Sequence, residues 1–222
     1  MHARRKLVAV VAVTVLLTSG CLGFVTGDEA LEYGANQAVV ADSALGPDGT
    51  GYTETAVENR TTIVDGEEAG IGNRTIKVHN QVAQYEKNDD FIDEKVGIFA
   101  VVSTHQTDVV GQPMNPVKDM NNSAVLNQVL GQYETSYGEV TDIQRDGETD
   151  VTMLEKATTV GVYTGQTMQD GEPTEVKIYV TMVKHGEDFV IAIGGHPTKL
   201  PNEEADVLTM MENVQHSTDD EE

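Results

Sequence analysis

The rhythm of apolar and polar positions changes several times along this chain, and each change marks an element. An uncharged, apolar stretch, LVAVVAVTVLL, occupies 7–17. From Asp28, a plausible N-cap, Leu31, Ala35, Ala38, Val39 and Leu45 recur at helical spacing, which predicts a helix ended by the turn signals of GPDGTG at 46–51. Thr- and Val-rich residues at 52–64 and the alternation of Ile76, Val78 and Val82 within 74–86 predict a hairpin around a Gly-rich turn. The stretch 95–105 is apolar on both faces, as a central strand must be. Pro113 and Pro116 interrupt 109–122. Val125, Leu126, Val129, Leu130 and Tyr133 then predict a second helix at 123–133, capped by Asn122 or Ser123.

Beyond it, 138–146 and 149–168 read as strands joined at DGE, and 174–185 alternates cleanly before the turn GED and the apolar strand 189–197. Asn202 is placed to cap a last helix over 203–216, whose stripe is Val207, Leu208, Met211 and Val214. Tight turns between neighbouring strands imply antiparallel pairing. The expectation is an α+β fold: one mainly antiparallel sheet of about six or seven strands covered by about three helices. Its length suits a single domain at 28–216, followed by an acidic tail at 217–222.

The apolar run at 7–17 follows Arg4, Arg5 and Lys6 and precedes Thr18, Ser19 and Gly20, the order of a secretory signal peptide. A spanning helix needs about 20 apolar residues, so an uncleaved signal anchor is the rival reading. Cys21 is the one cysteine in the chain. Its position after a small residue and an apolar run resembles the lipobox of exported lipoproteins, although Thr18 stands where that pattern usually has Leu and Leu17 lies one place further out. The resemblance implies cleavage after residue 20, a lipid on Cys21, a tether at 21–27 and a protein held on the outer side of the cell membrane. ARRKLV at 3–8 also resembles a degenerate twin-arginine export signal.

Charge sharpens this picture. The chain has 14 basic and 37 acidic residues; three of the basic ones precede Cys21, leaving 11 against 37, or −26, from there on. Such a charge opposes compaction in dilute buffer, and at about 1 M salt the Debye length shrinks to about 3 Å. The acids are scattered, and runs such as VGIFAVV (96–102) need burial, so a folded, salt-adapted protein is expected. With few lysines and abundant Gly and Thr, the chain resembles the uncharacterised lipoproteins of haloarchaea. That likeness implies a location and no catalytic residue. No basic patch exists for nucleic acid. The expected partner is the membrane, through the lipid at Cys21.

Motifs for chemistry are sparse. His79, His105, His185, His196 and His216 have no metal-ligand spacing, and no metal or cofactor is expected. GGHP at 194–197 reads as a strand-ending turn whose glycines supply unusual backbone angles. There is no GxSxG around any serine, Ser103 included, although triads are recognised by geometry. DIQRDGETD (142–150) lacks calcium-loop spacing. Asn59, Asn73 and Asn121 begin N-glycosylation sequons, with Asn73 and Asn121 expected to be the more accessible. The function expected is a surface or binding module without catalysis. An exported hydrolase with dispersed residues is the alternative, and a substrate-capturing receptor for a transporter comes third.

Overall fold

The computed structural model describes residues 30–65, 75–89, 94–106, 108–109, 112–113, 116–132, 139–169, 171–200 and 202–218. Cys21, Asn73, the apolar run and the last four residues lie outside them. The strands are β1 (Leu31–Gly34), β2 (Ala38–Val40), β3 (Thr53–Asp65), β4 (Thr75–Asp89), β5 (Glu94–His105), β6 (Asp108–Val109), β7 (Gln112–Pro113), β8 (Thr141–Met153), β9 (Lys156–Gln169), β10 (Glu172–His185), β11 (Asp188–Pro197) and β12 (Val214–His216). The helices are α1 (Asn122–Gln132) and α2 (Glu203–Glu212). Among the described residues no helix is long and apolar enough to cross a membrane.

Eight strands form one sheet in the order β1-β4-β5-β11-β10-β9-β8, with β3 also on β4. The meander β3-β4-β5 and the meander β8-β9-β10-β11 meet where β5 pairs with β11. Every pairing in the sheet is antiparallel except β1 with β4. β3 takes one side of β4; β5 pairs with Gln81–Asp89 and β1 with Ile76–His79, so these two share the other side end to end. Both faces are covered. On one, Val207, Met210 and Met211 of α2 pack with Ala38, Val40 and Val214 of the small β2–β12 sheet onto Tyr85, Phe99, Tyr179 and Val190. On the other, Val125, Leu126 and Val129 of α1 pack onto Val102, Ile178, Val180 and Ile191. The two-sided apolar pattern of 95–105 follows from this, since β5 is central and covered on both sides.

The mainly antiparallel sheet agrees with the sequence pattern, and the three-helix cover does not: two α-helices are present among the described residues. The residues with helical spacing at 31–45 instead form β1, β2 and a 3-10 turn at Asp42–Ala44. Pairing decided this. β1 completes the side of β4 that β5 leaves open, and β2 pairs with β12, which outweighs a weak local preference interrupted by Gly34. The DGE turn is also displaced. Asp146–Glu148 lie inside β8 at a register shift, and the real turn is Leu154–Glu155, both with positive φ (50° and 61°). That conformation usually calls for Asn or Gly; Leu154 accepts it while packing against the core. The predicted caps shift too. Asn121 caps α1, its Oδ1 accepting from the Ala124 N–H at 3.0 Å. Asn202 has helical backbone angles and makes no side-chain cap hydrogen bond.

Candidate functional site

The turn Gly186–Glu187 fixes the register of the β10–β11 hairpin, so His185 faces Asp188, and the β5–β11 register sets Asp188 against His105. A single cross-strand row thus reads His105, Asp188, His185. β12 brings His216 over that row, on the sheet face that carries α2. His105 Nδ1 lies 3.0 Å from Asp188 Oδ1 and His216 Nε2 lies 3.1 Å from Oδ2. The backbone N–H of Asn36 donates to Oδ2 at 2.8 Å. His185 Nδ1 is 3.0 Å from His216 Nδ1, and Tyr33 stacks on His105 with centroids 5.7 Å apart. The cluster therefore joins the ends of three sheet strands to both ends of the described chain.

Asp188 is 1 % exposed. Burial alone would raise its pKa, but hydrogen bonds from His216, the Asn36 N–H and His105 outweigh burial and hold it below the ordinary carboxylate value. An ionised Asp188 can only accept, so both imidazoles present an N–H to its oxygens.

Ser103 Oγ lies 3.3 Å from His216 Nε2, so the dispersed Ser, His and Asp of the hydrolase alternative do meet. Their arrangement is not a relay. A triad holds the carboxylate on one imidazole nitrogen and the nucleophile on the other; here both approach Nε2, while Nδ1 faces His185. Ser103 is also 0 % exposed. Among the described residues no group of three or more His, Cys, Asp or Glu is arranged to hold a metal ion. What the cluster does chemically is share one buried negative charge between two imidazoles.

A second buried pair lies under the start of α2. Tyr179 Oη is 3.3 Å from His196 Nε2, and the rings stack at 5.6 Å. Burial lowers the pKa of His196, against the pull of the Pro197 carbonyl and of Glu203 and Glu204. Burial also raises the Tyr179 phenol, with Glu204 adding to it. The helix start is held by Lys87, whose Nζ meets Glu203 at 2.9 Å and Asp206 at 2.6 Å. Burial pulls Lys87 down, and the hydrogen bonds to those carboxylates more than compensate. Across the described core the Tyr85 phenol, which accepts from the Val40 N–H, is pushed up to about 12, chiefly by burial.

His196 carries a prediction. Neutral when buried, it binds its proton less readily than the unfolded chain, whose histidine titrates near about 6.5. Its share of stability is complete above that pH and declines as pH falls below it. Urea unfolding of His196→Gln is therefore expected to vary less between pH 7.5 and pH 5.5 than that of the parent; equal slopes would refute a buried neutral histidine.

The remaining sequence-level candidates are dispersed. GGHP lies in β11, and neither Gly194 nor Gly195 has a positive φ. Gly194 gives space: a Cβ there would lie 2.6 Å from Val207 Cγ1 and 2.9 Å from Phe99 Cδ2. His79 Nδ1 is 2.8 Å from Thr61 Oγ1 at the partly exposed β3–β4 pairing. Asn59 is exposed on β3, and Asn121 is exposed before α1. The His–Asp row had one legible signal, an acid opening the apolar strand FVIAI directly after a histidine-ended strand. The arrival of His105 and His216 had none.

A family model described as a domain of unknown function, DUF6517, matches residues 37–215, and the chain belongs to that family. No curated protein matches the chain.

Proposed function

We propose that this DUF6517 chain is an exported, lipid-anchored surface or binding module of a salt-adapted organism, attached to the membrane through Cys21. The observation that carries the reading is the order of basic, apolar and small residues that ends at Cys21. The first described strand, β1, pairs with β4 over Leu31–Gly34, and the Asn36 N–H donates to Asp188. The basic and apolar residues at 4–17, the small residues at 18–20 and the −26 charge that follows support export into a saline surrounding. A Ser103–His216–Asp188 relay would need the serine and the carboxylate on different imidazole nitrogens, and both face Nε2 of His216. That geometry favours a closed clamp over a catalytic centre.

Cell fractionation tests the anchor. The parent is expected in the membrane fraction, with a mature mass that begins at Cys21 and includes lipid. Cys21→Ser is expected in the soluble fraction or as the unprocessed precursor. Retention of Cys21→Ser in membranes at the same processed mass as the lipid-free parent would reject lipidation. An unprocessed, membrane-bound parent would identify a signal anchor.

A further inference from the structure

The two edges of the large sheet differ. Along β8 the pairing with β9 slips twice, between Thr141 and Gln144 and between Arg145 and Gly147, and Asp142 has φ 52°. Its exposed positions carry Asp142, Arg145, Asp146, Glu148 and Asp150. Kinks and charge are how sheets blunt an edge against further pairing. β3 slips only once, between Glu54 and Ala56, and beyond that shift its charges are Glu58, Arg60 and the terminal Asp65. From Ala56 to Asp65 it keeps one unbroken register with β4, and among the described residues it pairs with no other strand. Val57 is 40 % exposed and Ile63 67 %, two of the three large apolar side chains exposed among the described residues. A straight edge with apolar side chains on it is a template for another strand.

Charge selects the strand that fits. Glu58 and Arg60 flank Asn59, and within one chain Arg60 Nη2 reaches Glu58 Oε2 at 2.9 Å. If two β3 edges run antiparallel with Asn59 opposite Asn59, Glu58 of each chain faces Arg60 of the other, twice. No other antiparallel register between two copies sets these two side chains opposite each other. The same register places Val57 opposite Thr61, a β-branched pair that suits a sheet. Parallel in-register pairing would oppose Glu58 to Glu58, which is unfavourable. We propose that the chain forms a two-fold dimer through its β3 edges centred on Asn59, continuing the sheet across the axis. Each chain is strongly acidic, so the dimer requires screening and weakens as salt is removed. A glycan on Asn59 would occupy the axis and exclude this pairing.

The test uses the full chain with Cys21→Ser, in mild detergent, from a host that does not N-glycosylate. Sedimentation at about 1 M salt is expected to show a monomer–dimer equilibrium. Glu58→Arg is expected to raise the dissociation constant roughly tenfold or more, by turning two attractive pairs repulsive. Bulk repulsion alone would predict the reverse, since that variant is less acidic. The swap Glu58→Arg with Arg60→Glu is expected to restore the dimer. Under oxidation Asn59→Cys is expected to give a covalent dimer, because directly opposite Cα atoms lie about 4.5–5.5 Å apart, within disulfide reach. Circular dichroism checks that each variant is folded. A monomer up to about 100 µM, a folded Glu58→Arg that associates as the parent does, a folded swap that stays monomeric, or a glycan on Asn59 of the native protein would each overturn the proposal.

Discussion

Gly97→Ala is expected to destabilise the fold by about 3 kcal/mol, the upper end of the usual cost of overpacking. A Cβ at residue 97 would stand 2.1 Å from Tyr52 Oη and 2.7 Å from its Cζ. Tyr52 is 0 % exposed and packs in the α2-side core, so its ring cannot swing into solvent. The backbone cannot retreat easily either. Gly97 sits in the central strand β5, beside the register shift between Lys87 and Asn88 of β4. For a chain of this size the loss corresponds to roughly 6–12 °C in Tm. The companion variant identifies the cause. Tyr52→Ala alone is expected to cost about 3–5 kcal/mol by leaving a cavity, and adding Gly97→Ala in that background is expected to cost little more. Additive losses in urea unfolding would mean that something other than the Tyr52 contact keeps residue 97 a glycine.

Asp188→Asn is expected to cost about 3–5 kcal/mol, the usual penalty for removing one partner of a buried charged group. The carboxylate is the shared acceptor for His105, His216 and the Asn36 N–H. An amide in its place would turn an NH2 toward groups that are themselves donors. The intact cluster adds less to stability than this loss suggests, because bringing the charge out of water already costs several kcal/mol. The sign of the pH effect follows from the depressed pKa of Asp188. Its contribution is complete above the unfolded value of about 3.9 and is lost as pH falls through the folded value. Unfolding free energy measured from pH 6 down to pH 2 is expected to fall more steeply in the parent than in Asp188→Asn. Parallel curves would remove Asp188 from the acid limb. The variant is also expected to loosen β2 and β12 first, so amide exchange at Ala38–Val40 and Val214–His216 would rise ahead of that in β5.

Some of this architecture was legible in the residues because it depends on near neighbours. Alternation in 74–86 and 174–185, the two-sided apolar run of 95–105 and the stripe of Val207 and Met211 each report a local period and the face it buries. The same logic failed at 31–45, where the apolar spacing fits a helix and the segment is taken up by two strand partners distant in sequence, β4 and β12. It failed at Leu154–Glu155 because a turn built from Leu and Glu lacks the usual chemical signature and is held by core packing. Asn202 had the right chemistry for a cap but a helical backbone.

By itself the sequence determined the alternation that builds an antiparallel sheet, the strong negative charge, and the basic, apolar and small residues that lead to Cys21. Each of these is a property of composition or of residues a few positions apart. Only the tertiary structure decided that His105, Asp188, His185, His216 and Ser103 converge, that Gly97 and Gly194 are spaces for Tyr52 and Val207, and that among the described residues β3 and β8 border the sheet. These depend on which strands pair and in what register. That is set by the summed burial of both sheet faces, a quantity no local window of the chain contains.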